Sequence, residues 1–157
     1  MKVEFWALGN TSFAYLKEGT AIYEKRLKHY LPFEYKIFSD IKQAKNLSEA
    51  QLKEKEGLAL LSKVNSGDCL ILMDENGKEL SSVKFASYLE NKLQQSYKKL
   101  IFVIGGAYGF SPAVHARANA KISLSKMTFS HQMVRLFALE QLYRAMSILR
   151  NQPYHHR

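Results

Sequence analysis

The 157-residue sequence predicts an α/β fold built on a mainly parallel sheet with helices on both faces. Three observations carry this expectation. Two short, unbroken apolar runs, residues 69–73 (CLILM) and 101–104 (IFVI), have the composition of strands buried on both sides. Segments with apolar residues at three-four spacing alternate with these runs and with other β-rich segments along the chain. Capping and turn residues stand where the period changes, and no repeat, linker or low-complexity stretch intervenes, so residues 1–157 read as one domain.

The elements follow in order. Residues 2–8 hold the β-formers Val3, Phe5 and Trp6 and stop at Gly9-Asn10, as an opening strand would. Phe13, Leu16, Tyr23, Leu27 and Tyr30 then fall on helical spacing, which predicts a helix from about residue 12 to residue 29, ended by Pro32. Residues 33–39 alternate as a strand, and residues 42–46 form a polar connection. Ser48 and Gln51 make a capping-box pair opening a helix that runs to about residue 64. The run 69–73 is a central strand feeding a turn at Asp74-Glu75-Asn76-Gly77. Ser81 or Ser82 caps the next helix, which turns Val83, Phe85, Leu89 and Leu93 inward. Ser111-Pro112 is an N-cap with proline at the first helical position, opening a short helix to about residue 118. Residues 122–124 are a short strand, residues 125–130 a loop, and residues 131–149 the last helix. That helix has almost no polar face, so it needs cover on two sides. One side is the sheet; the other is either a second copy of the chain across a two-fold axis or more of the same chain.

Composition narrows the function. Lysine and arginine number 23 against 14 aspartate and glutamate, a net charge of +9, which favours polyanionic partners through counterion release or, failing that, marks only a soluble basic protein. A chain of this length buries roughly 70% of the surface its unfolded form exposes, so it needs no disulfide or metal staple. The single cysteine, Cys69, lies inside an apolar run and reads as a small buried hydrophobe in a reducing compartment. MKVEFWALGN carries no long apolar leader, and no stretch of about 18 apolar residues occurs. The expectation is a cytoplasmic protein with no membrane partner.

The most informative stretch is residues 101–110, IFVIGGAYGF, a buried strand delivered into three glycines. In a parallel sheet, ligands bind at the carboxyl ends of strands, although a tight turn uses glycine equally well. Familiar signatures are missing. Gly105, Gly106 and Gly109 do not make G-x-G-x-x-G, Ser125 and Lys126 stand where an acidic residue should follow, Gly77-Lys78 precedes Glu79 rather than Ser or Thr, and five histidines with one cysteine show no zinc spacing. A dinucleotide site, a P-loop and a metal site are not expected.

Taken together, LMDENGK, FVIGGAYGFSP and ISLSKMTFSHQMVRLFALEQLYRAMSILRNQPYHH resemble the RlmH family of SPOUT-class methyltransferases. The family's IGG, LS-x-x-T, H-x-x-V-R, E-Q-L-Y-R-A and N-x-P-Y-H elements occur in that order, most specifically over the last sixty or so residues. The resemblance implies a deep C-terminal trefoil knot and a homodimer. It also implies transfer of a methyl group from S-adenosylmethionine to N3 of a pseudouridine in a hairpin of 23S rRNA on the assembled ribosome. By the same resemblance the cofactor pocket is Leu72 and Met73, Gly105 and Gly106, and Leu124, Ser125, Lys126, Met127, Thr128 and Phe129. Met73 stands where family members usually have leucine, and Ala107 where they often have proline or serine.

The catalytic candidates are His155, Tyr154 and Arg144, with His131, Arg135 and His156 for the RNA. Arginine can hold phosphate, tyrosine can stack on a base, and histidine titrates near neutrality, where it could accept the N3 proton. All but Arg135 have a structural alternative: a helix cap for His131, an ion pair with Glu140 for Arg144, a frayed terminus for the tail from Tyr154 to Arg157. Two other functions are compatible with the residues, a non-catalytic ribosome-associated RNA-binding protein and a SPOUT enzyme acting on tRNA.

Overall fold

A computed structural model describes residues 1–156; Arg157, the end of the tail singled out above, lies outside the described residues. The strands are β1 (Lys2–Leu8), β2 (Phe33–Phe38), β3 (Cys69–Glu79), β4 (Lys99–Ile104) and β5 (Ala120–Ser123), and the helices are α1 (Ala14–Lys28), α2 (Glu49–Leu61), α3 (Ser82–Leu93), α4 (Pro112–Arg117) and α5 (Met133–Leu149). All strand pairings are parallel, in the order β2-β1-β4-β3-β5.

Alternation along the strands sorts their side chains into two cores. Phe5, Ile71, Met73, Phe102 and Ile104 pack with Leu27 of α1, Phe85 and Leu89 of α3 and Leu139 and Leu142 of α5. Trp6, Leu70, Leu72, Ile101 and Val103 point the other way, onto Leu60 of α2 and Val114 of α4. Each such fully buried side chain contributes about 1.5–3 kcal/mol, which is why β3 and β4 read as continuous apolar runs. The caps behave as their residue types require. Ser48 accepts from Gln51 N at 3.2 Å while Gln51 Oε1 accepts from Ser48 N at 2.9 Å. Ser81, not Ser82, caps α3, and Ser111 caps α4 ahead of Pro112.

Two expectations need correction. The Asp74-Glu75-Asn76-Gly77 turn is an irregularity inside β3: both Met73 and Lys78 pair with Ile122, so the four residues between them bulge while the strand continues to Glu79. The Asp74 carboxylate closes the bulge by accepting from Asn76 N at 2.8 Å. Gly77 is required there, because a Cβ would stand 2.7 Å from the Ile122 backbone. The second correction concerns α5, whose missing polar face is covered largely within the chain. Leu142 is 1% exposed, and α1 and α3 flank the helix; at Gly19 of α1 the Leu136 side chain comes so close that a Cβ would meet it at 2.9 Å. What stays uncovered is a smaller patch: Met133 and Phe137 of α5, and Tyr15 and Ile22 of α1. Among the described residues no helix is long and apolar enough to cross a membrane.

Candidate active site

The carboxyl ends of β3, β4 and β5 converge on a cavity of about 600 Å³. Its floor is apolar, made by Met73, Ile104 and Phe110, all less than a tenth exposed. The glycine stretch forms the wall beyond β4. Gly106 and Gly109 pair as an antiparallel bridge, and Gly109, at φ +80°, supplies the left-handed turn that folds the loop back on itself. Gly106 does not have positive φ, and a Cβ there would lie 2.6 Å from Glu56 Oε2, the movable end of a side chain on α2. The facing wall is the segment after β5. Ser123 Oγ donates to Ser125 O, Ser125 Oγ accepts from Met127 N at 3.0 Å, and Thr128 Oγ1 donates to Glu75 on the β3 bulge.

Of the residues named for the cofactor, Met73, Gly105, Gly106, Leu124, Ser125, Met127, Thr128 and Phe129 line this cavity. Leu72 does not: alternation turns it into the opposite core, where it is fully buried. The Lys126 side chain also points away, pairing with Glu79 at 3.5 Å. The cavity suits a purine, with apolar floor residues for the ring and main-chain N–H and C=O groups of two loops at its edges.

His131 lines the same cavity at the start of α5. It is not a helix cap, because Ser130 Oγ accepts from Gln132 N at 3.1 Å and Met133 N at 3.4 Å. Burial, and next the Arg135 guanidinium, hold the His131 imidazole below its ordinary value, against the opposing pull of Asp40. Arg135 is a correction. It is 0% exposed and donates to Leu8 O, Gly9 O, Thr11 Oγ1 and His131 O, so it locks α5 to the end of β1 and has no surface to offer a phosphate.

Tyr154 and His155 of the tail are tied down rather than frayed. Tyr154 Oη donates to Glu140 Oε1 at 3.0 Å, lies 3.2 Å from Tyr23 Oη and packs edge-on against Tyr143. Burial, then the hydrogen bonds with Tyr23 and Glu140, raise its phenol well above the ordinary value, so it stays protonated. Arg144 makes the ion pair with Glu140 at 2.6 Å, stacks over the Tyr154 ring and donates from Nη1 to His155 Nδ1 at 3.1 Å. Arg144, Tyr154 and His155 thus form one cluster, but at the far end of α5 and outside this chain's own cavity; His156 is exposed beyond it.

Several cavity residues had no signal in the sequence. Asp74 and Glu75 arrive because the bulge bends β3 over the opening, Lys53 reaches in from α2, and His115 of α4 stands 3.9 Å from Asp74. Tyr108 projects from the glycine loop. Among the described residues no three His, Cys, Asp or Glu side chains come together as a metal site requires.

Known proteins resemble this chain. The family model described as "Predicted SPOUT methyltransferase" matches residues 1–155. "Ribosomal RNA large subunit methyltransferase H" of Parabacteroides distasonis is 55% identical over 156 residues, 99% of each chain, and the protein of the same name from Christiangramia forsetii is 54% identical over the full length of both. The crystal structure of tRNA (m1G37) methyltransferase from Aquifex aeolicus superposes with a TM-score of 0.60 at 12% identity, over 100% of this chain and 76% of that one, a likeness of fold. With a cavity at the strand ends, a glycine wall and relatives more than half identical from end to end, the chain belongs to the SPOUT methyltransferases and, within them, to the RlmH family.

Proposed function

We propose that the chain, a single cytoplasmic SPOUT domain, methylates N3 of a pseudouridine in a hairpin of 23S rRNA on the assembled ribosome, with S-adenosylmethionine as donor. The observation that carries this reading is the cavity, walled by Gly105, Gly106, Leu124, Ser125 and residues 127–129, in a chain more than half identical to proteins named for large-subunit rRNA methylation. The net charge of +9 supports a polyanionic substrate. The deep C-terminal trefoil knot of the family is part of the reading, and it would hold residues 124–130 beside the glycine loop without a covalent staple.

When bound, S-adenosylmethionine supplies a methyl carbon already activated by its sulfonium. The chain's residues then have to align the acceptor and take away the imide proton. Met73, Ile104 and Phe110 exclude water beneath the reacting groups, and the main chain at Gly105, Gly106 and 124–129 reads the donor. Arg144, Tyr154 and His155 are the RNA-facing set, and a homodimer explains why they stand apart from their own cavity. Met133 and Phe137, in the first two turns of α5 at its cavity end, stay uncovered and offer a face to a second copy. In a two-fold dimer the tail of each copy is available to the cavity of the other.

The test is to incubate the protein with ribosomes and labelled S-adenosylmethionine and map the label. Label in a 23S rRNA hairpin is the expected result. Label in tRNA alone, or none, overturns the proposal.

A further inference from the structure

The cavity has two apolar layers. Beneath the floor residues Met73, Ile104 and Phe110 lies the sheet, whereas the rim carries Tyr108, Phe129 and Met127, which are 47%, 40% and 75% exposed. A rim of this kind leaves large apolar surface in water, and at Tyr108 neither another ring nor a hydrogen bond covers it among the described residues. The placement is built by the backbone. Gly106 and Gly109 pair across the base of the loop, so Ala107 and Tyr108 form its tip and the phenol ring stands out over the opening. Phe129, on the facing wall, is supported by Phe137, with ring centroids 5.3 Å apart. Lys53 lines the same cavity from α2 and brings a positive charge.

One floor and one rim make room for two planar groups, not one. Proteins that take a nucleotide out of its stack replace the lost neighbour with an aromatic side chain and hold the phosphate with a cation. We propose that Tyr108 is the stacking partner of the acceptor nucleotide, which enters over the rim between Tyr108 and Phe129 while the floor takes the donor. Tyr108 is then a substrate-positioning residue. This rests on the reading of the chain as an RNA methyltransferase.

Three variants at this exposed position test it, Tyr108→Ala, Tyr108→Phe and Tyr108→Trp. Methylation of ribosomes is followed at varied ribosome concentration, and donor affinity is measured by calorimetry on the same preparations. Tyr108→Ala is expected to lower kcat/KM for ribosomes roughly ten- to hundredfold, the scale of one lost base–aromatic stack. Its affinity for S-adenosylmethionine should remain within about twofold of wild type, which also reports an intact cavity. Tyr108→Phe and Tyr108→Trp should both keep the wild-type rate, because stacking needs the ring and not the hydroxyl. A wild type that labels 23S rRNA while Tyr108→Ala labels it equally fast overturns this inference and leaves the methyltransferase reading standing. Loss of donor affinity in Tyr108→Ala overturns it too, by assigning the ring to the donor. A wild type that labels no ribosomal RNA overturns the underlying reading, and the inference with it.

Discussion

The guanidinium of Arg135, in the first turn of α5, donates to the main-chain carbonyl of Leu8 at the end of β1, 2.8 Å away. With its bonds to Gly9 O at 2.7 Å and Thr11 Oγ1 at 3.1 Å, this makes a charged side chain the fastener between the first strand and the last helix. Burial works against that charge, while the nearby Tyr35 and Asp40 favour it. Arg135→Ala orphans three buried acceptors and should cost about 3 kcal/mol or more. Arg135→Lys should not rescue it, since an ammonium cannot span the same fork of carbonyls. Denaturant unfolding checks both, and a variant as stable as wild type refutes the fastener.

Gly106 is governed by its neighbour on α2. Gly106→Ala should displace the Glu56 carboxylate and weaken donor binding only slightly, and Glu56→Ala in the same chain should remove that loss by opening the space a Cβ needs. Calorimetry of the single and double variants decides it. Equal losses in both would point to the pocket side of the loop instead.

The dimer patch makes a paired prediction. Phe137→Glu, at a position 43% exposed, should give folded monomers, whereas Leu142→Glu, 1% exposed in the core, should unfold the chain. Sedimentation separates the first outcome and thermal melting the second. A dimeric Phe137→Glu protein would exclude this face.

His155 is expected to act as a donor. Its Nδ1 accepts from Arg144, so in the neutral ring the proton sits on Nε2 and no lone pair is left to take one from the substrate. His155→Ala should therefore raise KM for ribosomes and leave the pH profile of kcat unchanged. An altered acid limb would instead make His155 the base.

Glu4 links stability to pH. Burial pushes its carboxyl up, but the Trp6 indole N–H at 2.7 Å, and then Lys99 and Lys36, outweigh that and lower it below the ordinary value of about 4.3. A lowered carboxyl stabilises the fold above its unfolded value, and that contribution fades as pH falls through the folded one. Wild-type melting temperature should thus drop on acidification below about pH 4.5, and Glu4→Gln should start lower and drop less.

Periodicity and caps settled the elements from the sequence alone, because they depend on neighbours a few residues away. The 69–73 and 101–104 runs read as central strands, and Ser48 with Gln51 and Ser111 with Pro112 as helix starts. The glycine stretch after β4 marked the right end of the right strand, since parallel sheets put their ligands there. Tertiary structure decided what depends on partners far along the chain. Arg135 resembles an RNA contact until α5 meets the β1 carbonyls 126 and 127 residues away in sequence. The apolar face of α5 that holds Leu142 could be covered by a second copy until α1 and α3 close around it, and Asp74-Glu75-Asn76-Gly77 resembles a turn until β5 pairs on both sides of it. The tail resembles a frayed end until Tyr154 finds Glu140 and Tyr23. In each case local chemistry allowed both outcomes, and long-range hydrogen bonds or packing contacts selected between them.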